Sequence, residues 1–228
     1  MKSMLFIPLL LLFACEQTPA PAAAETVAET ATVPTPPSTP TVDGPKLMPV
    51  DEGTKDPSFV AYRNQLLDAV KRRDVEAIVA LADPKVRTSF GDGGGSAELR
   101  RILKKPGAVE DLERLLTQGG KFRGESFSAP YVYSAWPDSH DAFQFRAITS
   151  ENVPLRQFGD RNAPVIATLS YDIVERKGEE KDGWQEVKTA DGHTGVVEAK
   201  NVRSPIGFRA LFNKSDGSWK MTGLVAGD

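Results

Sequence analysis

The runs Val165-Ile166-Ala167-Thr168-Leu169, Ile173-Val174-Glu175, Gly183-Trp184-Gln185-Glu186-Val187-Lys188 and Asp191-Gly192-His193-Thr194-Gly195-Val196-Val197 succeed one another within the stretch 142–204. Ahead of them stand Phe143, Phe145 and Ala147, alternating with polar residues, and then Asn152-Val153-Pro154-Leu155-Arg156. Short β-rich runs divided by Gly, Asp and Asn turns predict a small barrel. Val165, Ala167 and Leu169 are expected to point inward, because side chains alternate along a strand. Asp191-Gly192 is a hairpin turn pair. Trp184 follows a glycine turn and is large enough to close one end of the barrel.

Upstream, the pattern changes period. Asp56-Pro57 reads as a helix start, an acidic N-cap followed by proline in the first turn. Phe59, Leu66 and Val70, flanked by Tyr62 and Leu67, form one apolar face at helical spacing. Asp74 can cap a second helix carrying Ile78, Val79 and Leu81, stopped by Asp83-Pro84. Val86, Thr88 and Phe90 alternate as a short strand. The glycine loop 91–96 leads to a helix at 97–103, and another at 109–118 ends at Gly119-Gly120. Residues 121–136, with Phe122, Phe127, Tyr131 and Tyr133, supply linking strands. At the other end of the chain, Arg209 to Leu224 forms a hairpin about a Ser215-Asp216-Gly217 turn. It can complete either the first segment or the barrel.

The N-terminus has a different character. Lys2 is followed by an apolar run from Leu5 to Phe13, far short of the ~20 residues that span a bilayer but suited to a signal-peptide core. The run ends Leu12-Phe13-Ala14-Cys15, which resembles a bacterial lipobox, with Phe13 bulkier than the usual occupant. That resemblance implies diacylation of Cys15, the one cysteine in the chain, and a membrane partner through the lipid. Two or three acyl chains at roughly 0.8 kcal/mol per buried methylene hold a protein almost permanently. Glu16 rather than aspartate follows the cysteine, which in this family implies the periplasmic face of the outer membrane. From Glu16 to about Lys55 the chain is rich in Pro, Ala, Thr and Glu and offers little apolar surface to bury, so a disordered tether is expected.

The order of quoted strands in 142–204 resembles a bacterial SH3 domain, a small barrel of envelope and cell-wall proteins. Three positions depart from that family's pattern. Ser170-Tyr171 stands where glycine is usual, Val196 where an aromatic is usual, and 158–162 replaces a Pro-Ser turn. The first segment and the final hairpin with Trp219 resemble, more loosely, the nuclear-transport-factor-2-like superfamily, a cone-shaped α+β fold. The expected class is therefore α+β. The expected division is a signal peptide at 1–14, a tether at 15–55, an α+β domain at 56–141, an SH3-like barrel at 142–205 and the hairpin at 206–228. The hairpin either completes the α+β domain, with the barrel as an insertion, or stands apart from it.

Charge and composition narrow the function. A net charge of −3 over 228 residues gives no electrostatic footprint for nucleic acid. No second cysteine exists for a thiol nucleophile, His140 and His193 are the only histidines for a zinc site that usually pairs them, and no Gly-x-Ser-x-Gly elbow appears. The glycine loop lacks a following Gly-Lys-Ser/Thr, so a flexible turn fits it better than a phosphate cradle. No cofactor is expected. The reading is a non-enzymatic, lipid-anchored envelope protein whose SH3-like module binds peptidoglycan or an envelope protein. The residues expected at its binding face are Tyr171, Trp184 and Arg156. Two other readings stay open. One is a small-ligand or dimerisation module built on a pocket in the α+β part, with the barrel as brace. The other is a hydrolase assembled around Asp138, His140 and Asp141.

Overall fold

A computed structural model describes residues 40–91 and 93–227; the expected signal peptide, Cys15 and the expected tether up to residue 39 lie outside them. Helix α1 (Pro57–Lys71) starts as the sequence predicts, with the Asp56 carboxylate accepting from the Ser58 and Phe59 amides and proline at the first position. Its buried face is Phe59, Tyr62, Leu66, Ala69 and Val70. Asp74 caps α2 (Val75–Ala80) by accepting from the Ala77 amide at 3.0 Å. The strand that follows, β1 (Ala82–Arg87), begins earlier than the Val86–Phe90 alternation suggests. Asp83-Pro84 does stop the helix, but it does so inside the strand. Pro84 sits where the ladder shifts register, between Ala82 and Arg87, a place where a missing N–H costs nothing.

Helices α3 (Gly95–Leu103) and α4 (Ala108–Thr117) come next, then β2 (Lys121–Arg123) and β3 (Ser126–Ala129). The expected strand at 131–136 is instead a single helical turn, α5 (Tyr131–Ser134), in which the Ala135 amide bonds back to the Tyr131 carbonyl. The chain then builds β4 (Phe145–Ile148), β5 (Val153–Arg156), β6 (Val165–Leu169), β7 (Ile173–Lys181), β8 (Trp184–Lys188), β9 (Thr194–Glu198) and β10 (Val202–Arg203). It closes with β11 (Arg209–Ser215) and β12 (Ser218–Val225).

Two sheets result. The first has the order β1-β12-β11-β3-β2, with β1 parallel to β12 and the other pairs antiparallel. The final hairpin thus joins the first segment, and the central module enters between β3 and β11. The second sheet has the order β10-β4-β7-β8-β9-β5-β6. It is open rather than a closed barrel, because its terminal strands β6 and β10 do not pair. Val165 departs from the expected inward alternation and is 38% exposed, while Ala167 and Leu169 are fully buried. The cause is a register shift that sets Leu155 against Ala167 but Arg156 against Val165, so one extra residue turns the strand end outward.

The expected tether ends too late. Residues 40–51 are not a spacer but a strap, laid first on the central module and then on the α+β part. The Thr168 amide donates to the Pro40 carbonyl at 2.9 Å, and the Val42 amide donates to the Thr168 carbonyl at 3.3 Å, covering the outer edge of β6. Val42 is buried in the module's core. Further on, the Ile173 amide donates to the Pro45 carbonyl and the Leu47 amide to the Tyr171 carbonyl. Lys46 pairs with the buried Asp172 carboxylate at 2.5 Å. The Val50 carbonyl then accepts from the Gly120 amide. Val42, Leu47 and Val50 are the apolar residues that composition alone dilutes among prolines and acids.

Candidate ligand-binding cleft

Trp184 opens β8 just after the Asp182-Gly183 turn, where both residues have positive φ. Its indole is half-buried, and the β5–β6 loop rests on it through bare backbone. A Cβ at Gly159 would lie 3.0 Å from the indole Cδ1 and Cγ. Arg156 ends β5 and ties that loop down, with Nη1 donating to the Ala163 carbonyl at 2.7 Å. Arg156 and Trp184 line one cleft of about 280 Å³, together with residues 150–152 of the β4–β5 turn, the start of β5, and Glu198, Lys200 and Asn201.

The electrostatics of this cleft centre on Glu198, the cross-strand partner of Trp184. Its carboxylate accepts from Lys200 Nζ at 2.5 Å and from Arg161 Nε at 2.9 Å. These two cations, Lys200 first, hold its carboxyl below the usual range. The cleft therefore offers an aromatic face, a fixed guanidinium and a dependable carboxylate. That set suits a ligand with an apolar or sugar face and charges of both signs. Glu198, Lys200 and Asn152 were not expected at the site. Only Asn152 left a signal, since Asn tolerates the positive φ of 55° found there.

Tyr171 is not part of this cleft. It sits in the β6–β7 turn with φ of 58°, and its carbonyl is taken by the strap's Leu47 amide at 2.7 Å. Burial, and after it Tyr171, push the Tyr131 hydroxyl up to about 12. The position where the SH3-like pattern usually has glycine is thus one that does require a positive φ, here met by tyrosine. The three residues expected at one face separate into a pair that shares a cleft and a third bound to the junction.

The catalytic alternative is not assembled. His140 Nδ1 lies 3.0 Å from Ser139 Oγ, and its ring meets Phe145 edge-on at 5.0 Å. Asp141 accepts from the Phe143 amide as a turn residue. Asp138 lines a different hollow, with Lys121 and Trp136, from the one that His140 lines with Glu175 and Lys188. Among the described residues no group of three or more His, Cys, Asp or Glu is placed to hold a metal. His193 bonds to Asp191 within its own turn. In the glycine loop, Gly94 packs against β1: a Cβ on it would come 2.7 Å from the Val86 carbonyl oxygen.

The interior of the α+β part is filled. Phe59 meets Phe127 at 4.3 Å and Trp219 at 5.0 Å, and Phe122 meets Phe127 at 5.1 Å. Tyr62 donates to the Leu81 carbonyl at 2.8 Å. Phe122 and Trp219 also line a hollow of about 350 Å³, with Lys55, Asp56 and Lys214 around it.

Residues 149–204 match the family model described as bacterial SH3 domain. The central module thus falls in a class whose members are binding modules. A comparison with curated proteins gives no match. Among solved structures, the chain is similar to an NTF-2-like protein of unknown function from Shewanella oneidensis MR-1. The identity is 13%, with 75% of this chain and 97% of that one covered and a TM-score of 0.28. An NTF2-like protein of unknown function from Pseudomonas putida KT2440 is similar at 8% identity, with 77% and 87% covered and a TM-score of 0.26. The topology given above rests on the strand pairings alone.

Proposed function

We propose that this chain is a lipid-anchored bacterial envelope protein that binds peptidoglycan or an envelope protein through its SH3 module and performs no chemistry of its own. The observation that carries the reading is the cleft in which Arg156, Trp184 and Glu198 meet. An indole face with paired opposite charges suits a polymer of sugars and short charged peptides. The Leu12-Phe13-Ala14-Cys15 run supports a lipid on Cys15, and Glu16 supports the periplasmic face of the outer membrane. Anchoring raises the local concentration of a weak module at its target, so millimolar contacts become useful occupancy.

The test is co-sedimentation of the full chain, in detergent, with purified cell-wall sacculi. The parent is expected to pellet with sacculi, and Trp184→Ala to lose most of that binding while keeping its fold by circular dichroism. Equal pelleting of the two would remove the cleft from the reading, and no pelleting of either would remove peptidoglycan. The anchor has its own test. Labelled palmitate should enter the parent in a bacterial host and be absent from Cys15→Ser.

A further inference from the structure

Where β10 meets α4, the fold holds a cation without an ion-pair partner among the described residues. Arg203 donates through Nη2 to the Phe208 carbonyl at 2.6 Å. Its Nε is buried without a hydrogen-bond partner, and no carboxylate among the described residues forms an ion pair with it. Across a hollow of about 210 Å³ stands Arg114 of α4, with Leu115, Val202 and Phe208 as apolar walls and Asp111 at the side. Arg114 is paired with Asp111, so that carboxylate is already engaged. Burial first, and then repulsion from Arg114, disfavour the charge on Arg203, and the opposing pull of Asp111 and Tyr131 is weaker. A guanidinium does not shed its proton in a protein, so the charge stays and its burial is only partly compensated.

We propose that this hollow is a second binding site, taking a monoanionic carboxylate of the kind found at the free C-terminus of a peptide, held between Arg114 and Arg203. Two guanidiniums and one carboxylate leave a single net positive charge, which one carboxylate balances. A phosphate dianion would leave a negative charge facing Asp111. Planar guanidinium groups match a carboxylate in shape, with paired N–H groups facing paired oxygens. Leu115, Val202 and Phe208 would receive a small apolar side chain beside that carboxylate. Because Arg114 belongs to the α+β part and Arg203 to the inserted module, the ligand would join the two. The site is separate from the Arg156–Trp184 cleft, so either can fail without the other.

The full chain is titrated with N-acetylalanine, with N-acetylalanine amide and with inorganic phosphate, followed by thermal shift and by NMR. The acid is expected to raise the melting midpoint and the amide to leave it unchanged. Arg114→Gln, at a largely exposed side chain, is expected to weaken the acid by at least about tenfold. Arg203→Met is expected to abolish the response and to raise the midpoint of the ligand-free protein, since it removes an unpaired buried charge. An acid and an amide that act alike, or an Arg114→Gln chain that binds as the parent does, would overturn the proposal. So would a larger response to phosphate than to the acid, or an Arg203→Met chain less stable than the parent that still responds to the acid. Should Arg203→Met fail to fold, Arg114→Gln and the amide decide the matter.

Discussion

A single residue shows how the junction is built and where it is weak. Tyr131 is 3% exposed, its hydroxyl is buried without a partner, and its phenol is pushed up to about 12. Desolvation is the main cause, and the neighbouring Tyr171 adds to it. An unfolded tyrosine ionises near pH 10. A folded-state pKa above the unfolded one favours folding fully below that pH. The advantage is lost as the pH rises through about 12, because the unfolded chain gives up its proton first. Tyr131→Phe removes both the titration and the unpartnered hydroxyl. At neutral pH the variant is expected to be as stable as the parent or more so by about 1 kcal/mol, the scale of one unsatisfied buried polar group. Between pH 10 and 12 its loss of stability should be shallower, though not absent, since burial also raises Tyr62. Urea titrations across that window measure both effects. An unchanged alkaline slope, or a variant weaker at neutral pH, would mean that the hydroxyl is satisfied in solution.

At the scale of elements, one tight constraint is the meeting of β5 and β9. They pair at one position, Arg156 against Val196. The adjacent Gly195 lets them approach, since a Cβ there would lie 2.5 Å from the Arg156 carbonyl oxygen and 2.9 Å from Ile166 Cδ1. Gly195→Ala must therefore push β9 from β5, and overpacking of this kind costs typically 1–3 kcal/mol. Because Arg156 lies at the contact, the variant should also lose ligand at the cleft, readable as a lowered melting midpoint together with weaker sacculus binding. The elements themselves were largely legible: the turns at Asp191-Gly192 and Ser215-Asp216-Gly217, the caps at Asp56 and Asp74, and the alternating Ala167 and Leu169. What escaped were long-range matters. Nothing local distinguishes Val42 and Leu47 from tether residues until the β6 edge and the Tyr171 carbonyl are in place to receive them. Tyr171 stands where the family's pattern usually has glycine. The backbone demand there is real, with φ of 58°, and the residue does not line the cleft with Trp184. Arg156 and Trp184 were legible because strand order in a known class of module carries them, whereas Glu198 enters the cleft only through its register opposite Trp184.

The molecule as a whole has two cores and a hinge of side chains between them. One core is the aromatic cluster of the α+β part around Phe59, and the other is the aliphatic cluster of the module around Leu155. Between them lies a small cluster of Leu47, Tyr131, Val132, Ala147 and Ile173. Tyr131 and Val132 belong to α5, Ala147 and Ile173 to β4 and β7, and Leu47 to the strap. The strap therefore contributes the side chain that completes the bridge, while its backbone holds the β6 edge at one end and Gly120 at the other. Truncating a buried leucine costs about 2–5 kcal/mol, against the 5–15 kcal/mol that holds most domains together. Leu47→Ala removes that amount from the bridge and leaves each core intact. The parent is expected to unfold in one transition, with chains that keep only Trp219 or only Trp184 melting together by fluorescence. In Leu47→Ala the two reporters should separate, Trp184 falling first because its module owes Val42 and a strand edge to the same strap. Coincident melting in the variant would show that the two chain crossings between β3 and β11 couple the parts without help. Separate melting in the parent would show that the strap does not couple them at all. If the coupling is real, whatever draws on the chain upstream of Pro40 acts directly on the segment that joins module to support.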